Sequence, residues 1–315
     1  GKQATALRLP LHNLEAIVCF TYQGASPALM GACAERNIDL SFLTPGGRFL
    51  ARVVGRVKGN VLLRKKQYQV SEDAAESARI AASFLIGKVA NCRKVVERAI
   101  RDHAVLVDVP ALQQASNSLR ETLKSLPGCG ITDLLGLEGS AAKAYFGVFD
   151  QLILQQKDHF FFRERSRRPP ADNMNALLSF LYTLLTNEAS SALESAGLDP
   201  YVGFLHQDRP GRPSLALDLM EELRPVFADR LALSLVNRRQ INGKGFQQQE
   251  NGGILMDDET RKKVLEAWQE RKRETILHPY LQEKIEFGLI PYVQALLLAR
   301  YLRGDLDAYP PFFWE

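Results

Sequence analysis

The sequence predicts an α+β fold, in which a small N-terminal β-rich domain is followed by a larger all-α domain. Over the first 69 residues, short runs rich in β-branched and aromatic residues alternate with glycine and proline turn signals. Beyond residue 69, apolar residues recur at helical spacing over long stretches. We therefore expect a β-rich domain at 1–69 and a helical domain at 70–315.

Four strands and one helix are expected in the first domain. The strand-like runs lie at 16–20, 39–42, 49–54 and 61–63. The helix is expected between the first two runs, since Ser26 can cap it, Pro27 suits its first position and Asn37 can end it.

The second domain is predicted to be almost entirely helical. Its first helix is expected to open at Ser71, because the acidic residues that follow precede alanines spaced along one helical face. Further helices are predicted at 110–126, 138–162, 173–196, 215–237, 257–276 and 279–302. The aromatic tail at 309–314 is expected to pack on these helices.

Composition points to a soluble cytoplasmic protein without a membrane segment. The four cysteines are widely separated, with no Cys-x-x-Cys, which is typical of free thiols in a reducing compartment. No apolar run reaches the roughly 18 residues of a spanning helix. The net charge of +4 only weakly favours an anionic partner.

One histidine and two carboxylates lie within a single predicted loop and helix. Asp218 and Glu221 are three residues apart, so a helix presents both on one face. His206 precedes a loop rich in proline and glycine that can turn it back over this helix. An imidazole with two carboxylates suits Mn²⁺ or Mg²⁺, and such an ion usually serves phosphate chemistry or hydrolysis.

Ordinary structural roles are open for each of these residues. A histidine beside apolar neighbours is commonly a satisfied, partly buried side chain. Arg224 follows Glu221 by one turn and could form a simple salt bridge with it. Glu138, set among glycines and alanines, is a third candidate where a substrate can approach closely, but it could also be a first-turn acid that complements the helix dipole.

A basic stretch around 157–168 is the main candidate for phosphate contacts. Arginines occur there at alternate positions and end at a proline pair, so an extended segment could follow a nucleic-acid backbone. A solvated loop is the alternative interpretation. Two further cationic clusters, at 261–263 and 271–273, could form a stripe on one helix.

Four segments together resemble the Cas1 family of CRISPR-associated spacer-acquisition integrases, most closely its type I-C branch. They are Gly-Leu-Glu-Gly-Ser-Ala-Ala-Lys-Ala-Tyr-Phe (136–146), Arg-Arg-Pro-Pro-Ala-Asp-Asn-Met-Asn-Ala-Leu-Leu-Ser (167–179), Gly-Leu-Asp-Pro-Tyr-Val-Gly-Phe-Leu-His (197–206) and Ser-Leu-Ala-Leu-Asp-Leu-Met-Glu-Glu-Leu-Arg-Pro (214–225). The resemblance continues through 294–312 and covers nearly the whole chain.

The resemblance implies a metal-dependent DNA endonuclease and integrase that inserts short foreign DNA into a CRISPR array by transesterification. Glu138, His206 and Glu221 would be the Mg²⁺ or Mn²⁺ ligands in a helical catalytic domain. Asp218 would be a further acidic catalytic residue, with a possible second cation. We assign the contacts to DNA to these side chains: Arg163, Arg165, Arg167, Arg168, Lys143 and Tyr182.

The implied partners are double-stranded and branched DNA, a second copy of the chain in a homodimer, and a Cas2 dimer. Two departures from the family pattern stand out. The family usually begins with more strand sequence, so the first strands of the β-rich domain are expected to be missing. Position 221 is glutamate where relatives often have aspartate, which lengthens its reach.

Two other functions remain open at this level. A non-catalytic basic helical scaffold could bind DNA and use the same carboxylates in salt bridges. A Mg²⁺-dependent diphosphate-processing enzyme could use the pair Asp218 and Glu221, although such enzymes usually carry aspartate-rich pairs on two helices and the sequence shows one such pair.

Overall fold

A computed structural model of the chain describes residues 8–14, 16–36, 38–44, 49–55, 60–167 and 169–314. The chain forms two compact units, Gly1–Lys58 and Gly59–Glu315. The division therefore falls before the boundary predicted near residue 69. The order of classes is as predicted, with a small β-containing unit first and a mostly helical unit second.

The first unit contains a three-stranded mixed sheet and one helix. Strand β1 (Ala16–Cys19) pairs in parallel with β2 (Asp39–Leu43), and β2 pairs in antiparallel fashion with β3 (Phe49–Val53). Helix α1 (Pro27–Arg36) connects β1 to β2, and the Ser26 hydroxyl accepts a hydrogen bond from Leu29 N at 3.2 Å, as expected of a cap. The proposed end of this helix, Asn37, lies outside the described residues.

The core of this unit is formed where α1 meets the sheet. Three side chains are buried together: Cys33 of α1, Leu40 of β2, and Ile38, which directly precedes β2. Partly buried apolar side chains pack around them. Strand β2 lies between β1 and β3, and each of its side chains is buried or partly buried, as expected of the central strand of a small sheet.

The fourth predicted strand, at 61–63, is wrong, because these residues begin a helix. Helix α2 (Val61–Glu72) starts where the Asn60 side chain accepts a hydrogen bond from Leu62 N at 2.9 Å. Leu63, Gln67 and Val70 are buried at helical spacing along one face of α2. This helix belongs to the second unit and accounts for the earlier boundary.

Eight more helices and two short hairpins complete the described part of the second unit. The helices are α3 (Ala74–His103), α4 (Val109–Ser125), α5 (Ile131–Gly147), α6 (Asn173–Ser195), α7 (Ser214–Glu221), α8 (Arg230–Asn237), α9 (Asp258–Arg273) and α10 (Ile290–Arg303). The hairpins pair β4 (Phe246–Gln248) with β5 (Ile254–Met256), and β6 (Thr275–Leu277) with β7 (Lys284–Glu286).

Three predicted helices have different bounds in the structure. Helix α5 begins at Ile131 and ends at Gly147, whereas 138–162 was predicted. The single helix predicted at 215–237 is two helices joined by a π-helical turn at Arg224–Asp229, since Pro225 has no N–H to donate. The start predicted at 279 is instead occupied by the second hairpin.

Aspartate side chains begin four of these helices. Asp73, Asp108, Asp172 and Asp257 accept hydrogen bonds from backbone N–H groups of the first turns of α3, α4, α6 and α9 respectively. Each acid satisfies otherwise unpaired donors and complements the helix dipole. The Asp172 and Asp257 caps correspond closely to the helix starts predicted from sequence.

Helix α3 is the central element of the second unit. It packs against α2, α4, α5 and α7, and fifteen of its residues are buried. The aromatic tail packs on this unit as predicted, with Tyr309 and Phe312 buried. In the described part of the chain, none of the helices has the length and apolar character needed to cross a membrane.

Candidate metal and nucleic-acid site

A buried glutamine on another helix holds the loop that carries His206 through hydrogen bonds. Gln67 of α2 donates to the carbonyl oxygens of Asp199 at 2.8 Å and Val202 at 2.9 Å, and its own oxygen accepts from Asp199 N at 2.9 Å. The carbonyl of Pro200 accepts from Leu215 N at 2.9 Å at the start of α7. The loop therefore has a defined position relative to α2 and α7.

Asp218 organises the end of this loop. Its buried carboxylate accepts hydrogen bonds from three successive backbone N–H groups, those of Phe204 at 2.7 Å, Leu205 at 3.0 Å and His206 at 3.0 Å. Oδ1 of Asp218 also lies 2.6 Å from Nδ1 of His206. The loop thus turns back over the helix, as the sequence predicted.

This contact determines which nitrogen of the neutral imidazole carries the hydrogen. A carboxylate oxygen accepts, so in the neutral ring Nδ1 carries the hydrogen and Nε2 keeps its lone pair. A histidine held through one nitrogen by a carboxylate is the arrangement that orients an imidazole for metal coordination through the other. The side chain of His206 is 24% exposed, so the ring remains reachable.

Gly203 is required by the tightness of this turn. A Cβ at this position would lie 2.8 Å from the carbonyl oxygen of His206, 2.8 Å from Cβ of Ser214 and 2.9 Å from Oδ2 of Asp218. The His206 oxygen belongs to the backbone and Cβ of Ser214 is attached directly to it, so neither atom can move away without a shift of the chain.

Glu221 is buried between two cations. Its Oε1 lies 2.7 Å from Nη1 of Arg224 and its Oε2 lies 2.8 Å from Nζ of Lys88. Burial alone would raise the pKa of Glu221, but Arg224, Lys88 and, to a smaller extent, His206 outweigh it and lower the pKa to about 2. Glu221 is therefore ionised throughout the neutral range.

The Lys88 ammonium also contacts Glu138, so it links two of the three candidate ligands. Lys88 lies on α3, Glu138 on α5 and Glu221 on α7, and Lys88 is only 7% exposed. Glu138 is in the eighth position of α5, since that helix begins at Ile131. The alternative interpretation of Glu138 as a first-turn acid is therefore wrong.

The donor set fits a hard divalent ion in its chemistry. Two carboxylates and one imidazole nitrogen are suitable ligands for Mg²⁺ or Mn²⁺. Oε2 of Glu221 is buried and, among the described residues, has no well-directed hydrogen bond although Lys88 lies at ion-pair distance. Within the described ranges no three acidic, histidine or cysteine side chains already converge at metal-binding distances. The salt bridge to Arg224, the alternative role for Glu221, is present.

The residue next to Glu221 anchors the aromatic tail. The buried carboxyl of Glu222 accepts from Phe312 N at 2.7 Å and Gln294 Nε2 at 3.0 Å, and it lies 2.5 Å from the Tyr309 hydroxyl. Burial raises the pKa of Glu222 to about 7, against the opposing effect of these hydrogen bonds. The tail thus holds the C-terminal end of α7 in place.

Tyr145 and Tyr182 meet at another buried acid. Tyr182 donates to Oδ1 of Asp229 at 2.6 Å and Tyr145 donates to Oδ2 at 3.0 Å. The guanidinium groups of Arg165 and Arg224 lie over the Tyr182 ring, 5.1 and 5.2 Å from its centroid. These contacts give Tyr182 a role in packing. The contact with DNA that the sequence analysis assigns to it stays a prediction.

The basic segment contains both outward and inward arginines. Arg163 and Arg167 are exposed, whereas Arg165 donates to Asn175 Oδ1 at 2.7 Å and to Ser179 Oγ at 3.1 Å. Arg165 therefore fastens the segment to α6 and is poorly placed for the DNA contact predicted for it. Lys143 is exposed on α5, and Arg168 lies outside the described residues.

The two cationic clusters of α9 do not form an uncompensated stripe. Arg261 pairs with Asp258 at 2.9 Å and Lys263 with Glu259 at 2.8 Å. Arg271 pairs with Glu274 at 3.0 Å, and Lys272 with Glu188 at 2.8 Å. These pairs neutralise much of the charge locally, so the stripe that the sequence allows stays a prediction.

Sequence reasoning missed Lys88, Gln67 and Gly203. Lys88 interrupts an otherwise apolar face of α3, between Leu85 and Val89, and a lysine at such a position must find buried acids. Gln67 likewise replaces an apolar residue on the buried face of α2. Gly203 carries no comparable signal, because its neighbours in space are known only from the fold.

The fold and this site define a two-unit α+β protein with an acidic, histidine-containing site in its helical unit. The family model described as CRISPR associated protein Cas1 matches residues 1–270. A CRISPR-associated endonuclease Cas1 of Rhodospirillum rubrum is 55% identical over 314 residues, covering 98% of this chain and 90% of that protein. One of Chlorobaculum tepidum is 50% identical with the same coverage.

The chain therefore belongs to the Cas1 family. The prediction of a CRISPR-associated spacer-acquisition integrase of this family is confirmed at the level of the family, and the type I-C assignment stays a prediction. In fold, the chain is similar to a Cas1 protein of Thermotoga maritima, with a TM-score of 0.80, 24% identity, and coverage of 98% of this chain and 91% of that one. It is also similar to a casposase bound to integration product, with a TM-score of 0.83, 22% identity, and coverage of 96% and 82%.

Proposed function

We propose that this Cas1-family chain is a divalent-metal-dependent DNA endonuclease and integrase that joins short DNA fragments to a CRISPR array. The observation that carries the proposal is the contact between His206 and Asp218, which leaves Nε2 of the imidazole available on the same loop-and-helix unit that presents Glu221. The relatives at 50–55% identity are named endonucleases, which supports the same activity.

Glu138, His206 and Glu221 would hold the ion, either Mg²⁺ or Mn²⁺. When bound, a hard dication lowers the pKa of an attacking hydroxyl and neutralises charge that develops on phosphorus oxygens. Asp218 is assigned as a positioning residue, because four donors already occupy its two oxygens and leave little capacity for a second cation. Its role is to present the correct nitrogen of His206.

The proposed reaction is strand transfer. The 3′-hydroxyl oxygen of the incoming DNA forms a bond to a phosphorus atom of the repeat and loses its proton to water. The bond from that phosphorus to the adjacent 3′-oxygen breaks, and the leaving oxygen takes up a proton from water. His206 would not be the base, because Nδ1 donates to Asp218 and Nε2 would be the nitrogen that holds the ion. Hydrolysis, with water as nucleophile, uses the same geometry on nicked or branched DNA.

Exposed cations would hold the DNA. Arg163 and Arg167 stand on the extended segment after α5, and Lys143 stands on α5 itself, five residues beyond Glu138. Contacts of this kind bind the phosphate backbone without selecting sequence, so affinity should fall steeply with salt. A homodimer and a Cas2 dimer are proposed as further partners. One neighbour in fold is a chain of a Cas6-RT-Cas1–Cas2 complex, at a TM-score of 0.78, with 32% of that chain covered.

Strand transfer and DNA binding should be measured separately on Glu138→Ala, His206→Ala and the control His103→Ala, which changes an exposed histidine at the end of α3. We expect the first two variants to lose Mn²⁺-dependent transfer on branched DNA by at least about 10³-fold, as is usual for lost metal chemistry, while retaining filter binding. Retained Mn²⁺-dependent cutting would show that these ligands are wrongly assigned. If the wild-type protein binds DNA but never cuts or joins it, the scaffold function is correct.

A further inference from the structure

The ammonium group of Lys88 lies where the two candidate carboxylate ligands meet. It contacts Glu138 and lies 2.8 Å from Oε2 of Glu221, so one cation joins helices α3, α5 and α7. Lys88 is nearly fully buried, and a lysine is kept charged in such a place only by close acids. The same oxygens are those through which Glu138 and Glu221 would bind an ion.

The two candidate carboxylate ligands, Glu138 and Glu221, are already neutralised without a metal. The two carboxylates contribute two negative charges, and Lys88 and Arg224 contribute two positive charges. Adding a dication while both cations stay would leave these four groups with an excess of two positive charges, which the neighbouring Asp218 carboxylate offsets only in part, and such an excess is unfavourable at low effective dielectric. One of the cations must therefore give way.

Lys88 is the cation that can leave. Arg224 is tied to Oε1 of Glu221 at 2.7 Å and its guanidinium also lies over the Tyr182 ring, so its position is fixed from two sides. Lys88 carries a single charge at the end of a flexible four-carbon stem, which can withdraw by rotamer changes while α3 stays in place.

We propose that Lys88 is a resident counter-ion that holds Glu138 and Glu221 together in the ion-free protein and is displaced from them when a divalent ion binds. This inference rests on the proposed function, since it assumes that the ion binds at these two carboxylates. It explains how the carboxylates of buried Glu221 and half-buried Glu138 stay close together before the ion arrives. It also makes the affinity for the ion weaker than the ligand set alone would give.

Mn²⁺ binding without DNA, measured by isothermal titration calorimetry, tests this directly. The variants are Lys88→Gln, the ligand variant Glu138→Gln and the control Lys272→Gln, which removes an equally buried lysine paired with Glu188 on other helices. We expect Lys88→Gln to bind Mn²⁺ roughly tenfold more tightly than wild type, because the competing charge is absent. Lys272→Gln should leave the affinity unchanged, and Glu138→Gln should weaken it.

These outcomes separate the two proposals. If Glu138→Gln weakens binding but Lys88→Gln binds no more tightly than wild type, the role of Lys88 is refuted and the metal site stands. If neither the wild-type protein nor any of the variants binds Mn²⁺, both proposals are refuted.

A second measurement on the wild-type protein covers the case in which Lys88→Gln does not fold. Lysine acetylation with a soluble acylating reagent, followed by peptide mass spectrometry, compares labelling with and without Mn²⁺. We expect labelling of Lys88 to rise on Mn²⁺ addition while that of Lys272 stays constant. Unchanged or reduced labelling of Lys88 would refute the displacement.

Discussion

Nδ1 of His206 lies 2.6 Å from Oδ1 of Asp218, and the same carboxylate receives three consecutive backbone N–H groups of the loop that carries the histidine. A single buried acid thus sets both the path of the loop and the tautomer of the ring. On the proposed function, this coupling would let Asp218 support catalysis without touching the substrate.

Replacing this acid should reduce metal affinity together with strand transfer. In Asp218→Asn, an amide N–H₂ must face at least one backbone donor, so the loop loses hydrogen bonds and the histidine loses its orienting partner. We expect Mn²⁺ affinity to fall by about 10–100-fold, the usual effect of removing such a partner. Calorimetry of Mn²⁺ binding checks this.

The control for that experiment is Asp208→Asn in the same loop. Asp208 accepts a single hydrogen bond from Gly203 N at 3.3 Å, and asparagine keeps an oxygen that can accept it. Equal losses of affinity in both variants would contradict the special role of Asp218.

A methyl group at Gly203 should also disturb the site. The added Cβ would be within 2.9 Å of Asp218 and closer still to His206 O, so the loop must shift. We expect Gly203→Ala to lower the free energy of unfolding by about 1–3 kcal/mol and to reduce strand transfer. Denaturant unfolding and the transfer assay test both effects.

Gly136→Ala provides a matched comparison on α5. No heavy atom lies within 4 Å of its added Cβ, and alanine is favoured over glycine in a helix, so stability should stay level or rise slightly. If Gly203→Ala proves as harmless as Gly136→Ala, the loop is looser than its contacts indicate.

Glu222 should make the protein less stable as the pH rises toward neutrality. Its pKa is about 7 in the folded chain against 4.5 for an ordinary glutamate, so the folded state binds a proton that the unfolded state has released between these values. The free energy of unfolding should therefore fall as pH increases from about 4.5 to about 7, by about 3 kcal/mol from this group at full burial.

Glu222→Gln should remove this part of the pH dependence, because the amide stays uncharged. Denaturant unfolding at pH 5, 6, 7 and 8 measures the slope, with Glu270→Gln at an exposed position of α9 as control. Burial raises the pKa of Asp229 to about 6, so Asp229 still lowers the free energy of unfolding as pH rises toward 6 in every variant. A slope unchanged by Glu222→Gln would contradict this assignment.

The exposed arginines of the basic segment should contribute to DNA binding, whereas the inward-facing Arg165 should contribute to stability. Arg163→Ala and Arg167→Ala should each weaken DNA binding and lower the slope of log affinity against log salt by about 0.9 per lost phosphate contact. Arg165→Ala should mainly lower the free energy of unfolding, by about 1–3 kcal/mol, because its bonds to Asn175 and Ser179 are lost.

Filter binding over a series of salt concentrations, together with thermal unfolding, distinguishes these effects. Arg120→Ala, at an exposed position of α4, is the control for loss of surface charge alone. If Arg165→Ala changes the salt slope and leaves stability intact, its inward contacts are not maintained in solution.

Local features were predictable from sequence where neighbouring residues supply the physical cause. Ser26 with Pro27 marked the start of α1, and Asp257 marked the start of α9, because helix caps act over a single turn. The approach of His206 to Asp218 was also predictable, since a short loop joins them.

Bounds that depend on distant packing were not predictable in this way. The apolar run at 61–63 has strand-like composition, yet its residues begin a helix that is capped by Asn60 and buries Leu63, Gln67 and Val70 along one face. Arg165 could not be distinguished from Arg163 and Arg167 by sequence, because only the position of α6 turns it inward.

By itself, the sequence determined the order of a β-containing unit and a helical unit, the family, and the approach of His206 to Asp218. These depend on periodicity and on residues close along the chain. Only the tertiary structure brought Lys88 and Glu138 to Glu221, from three helices far apart in sequence. Which charges neutralise one another depends on their distances in space, and packing of the helices sets those distances.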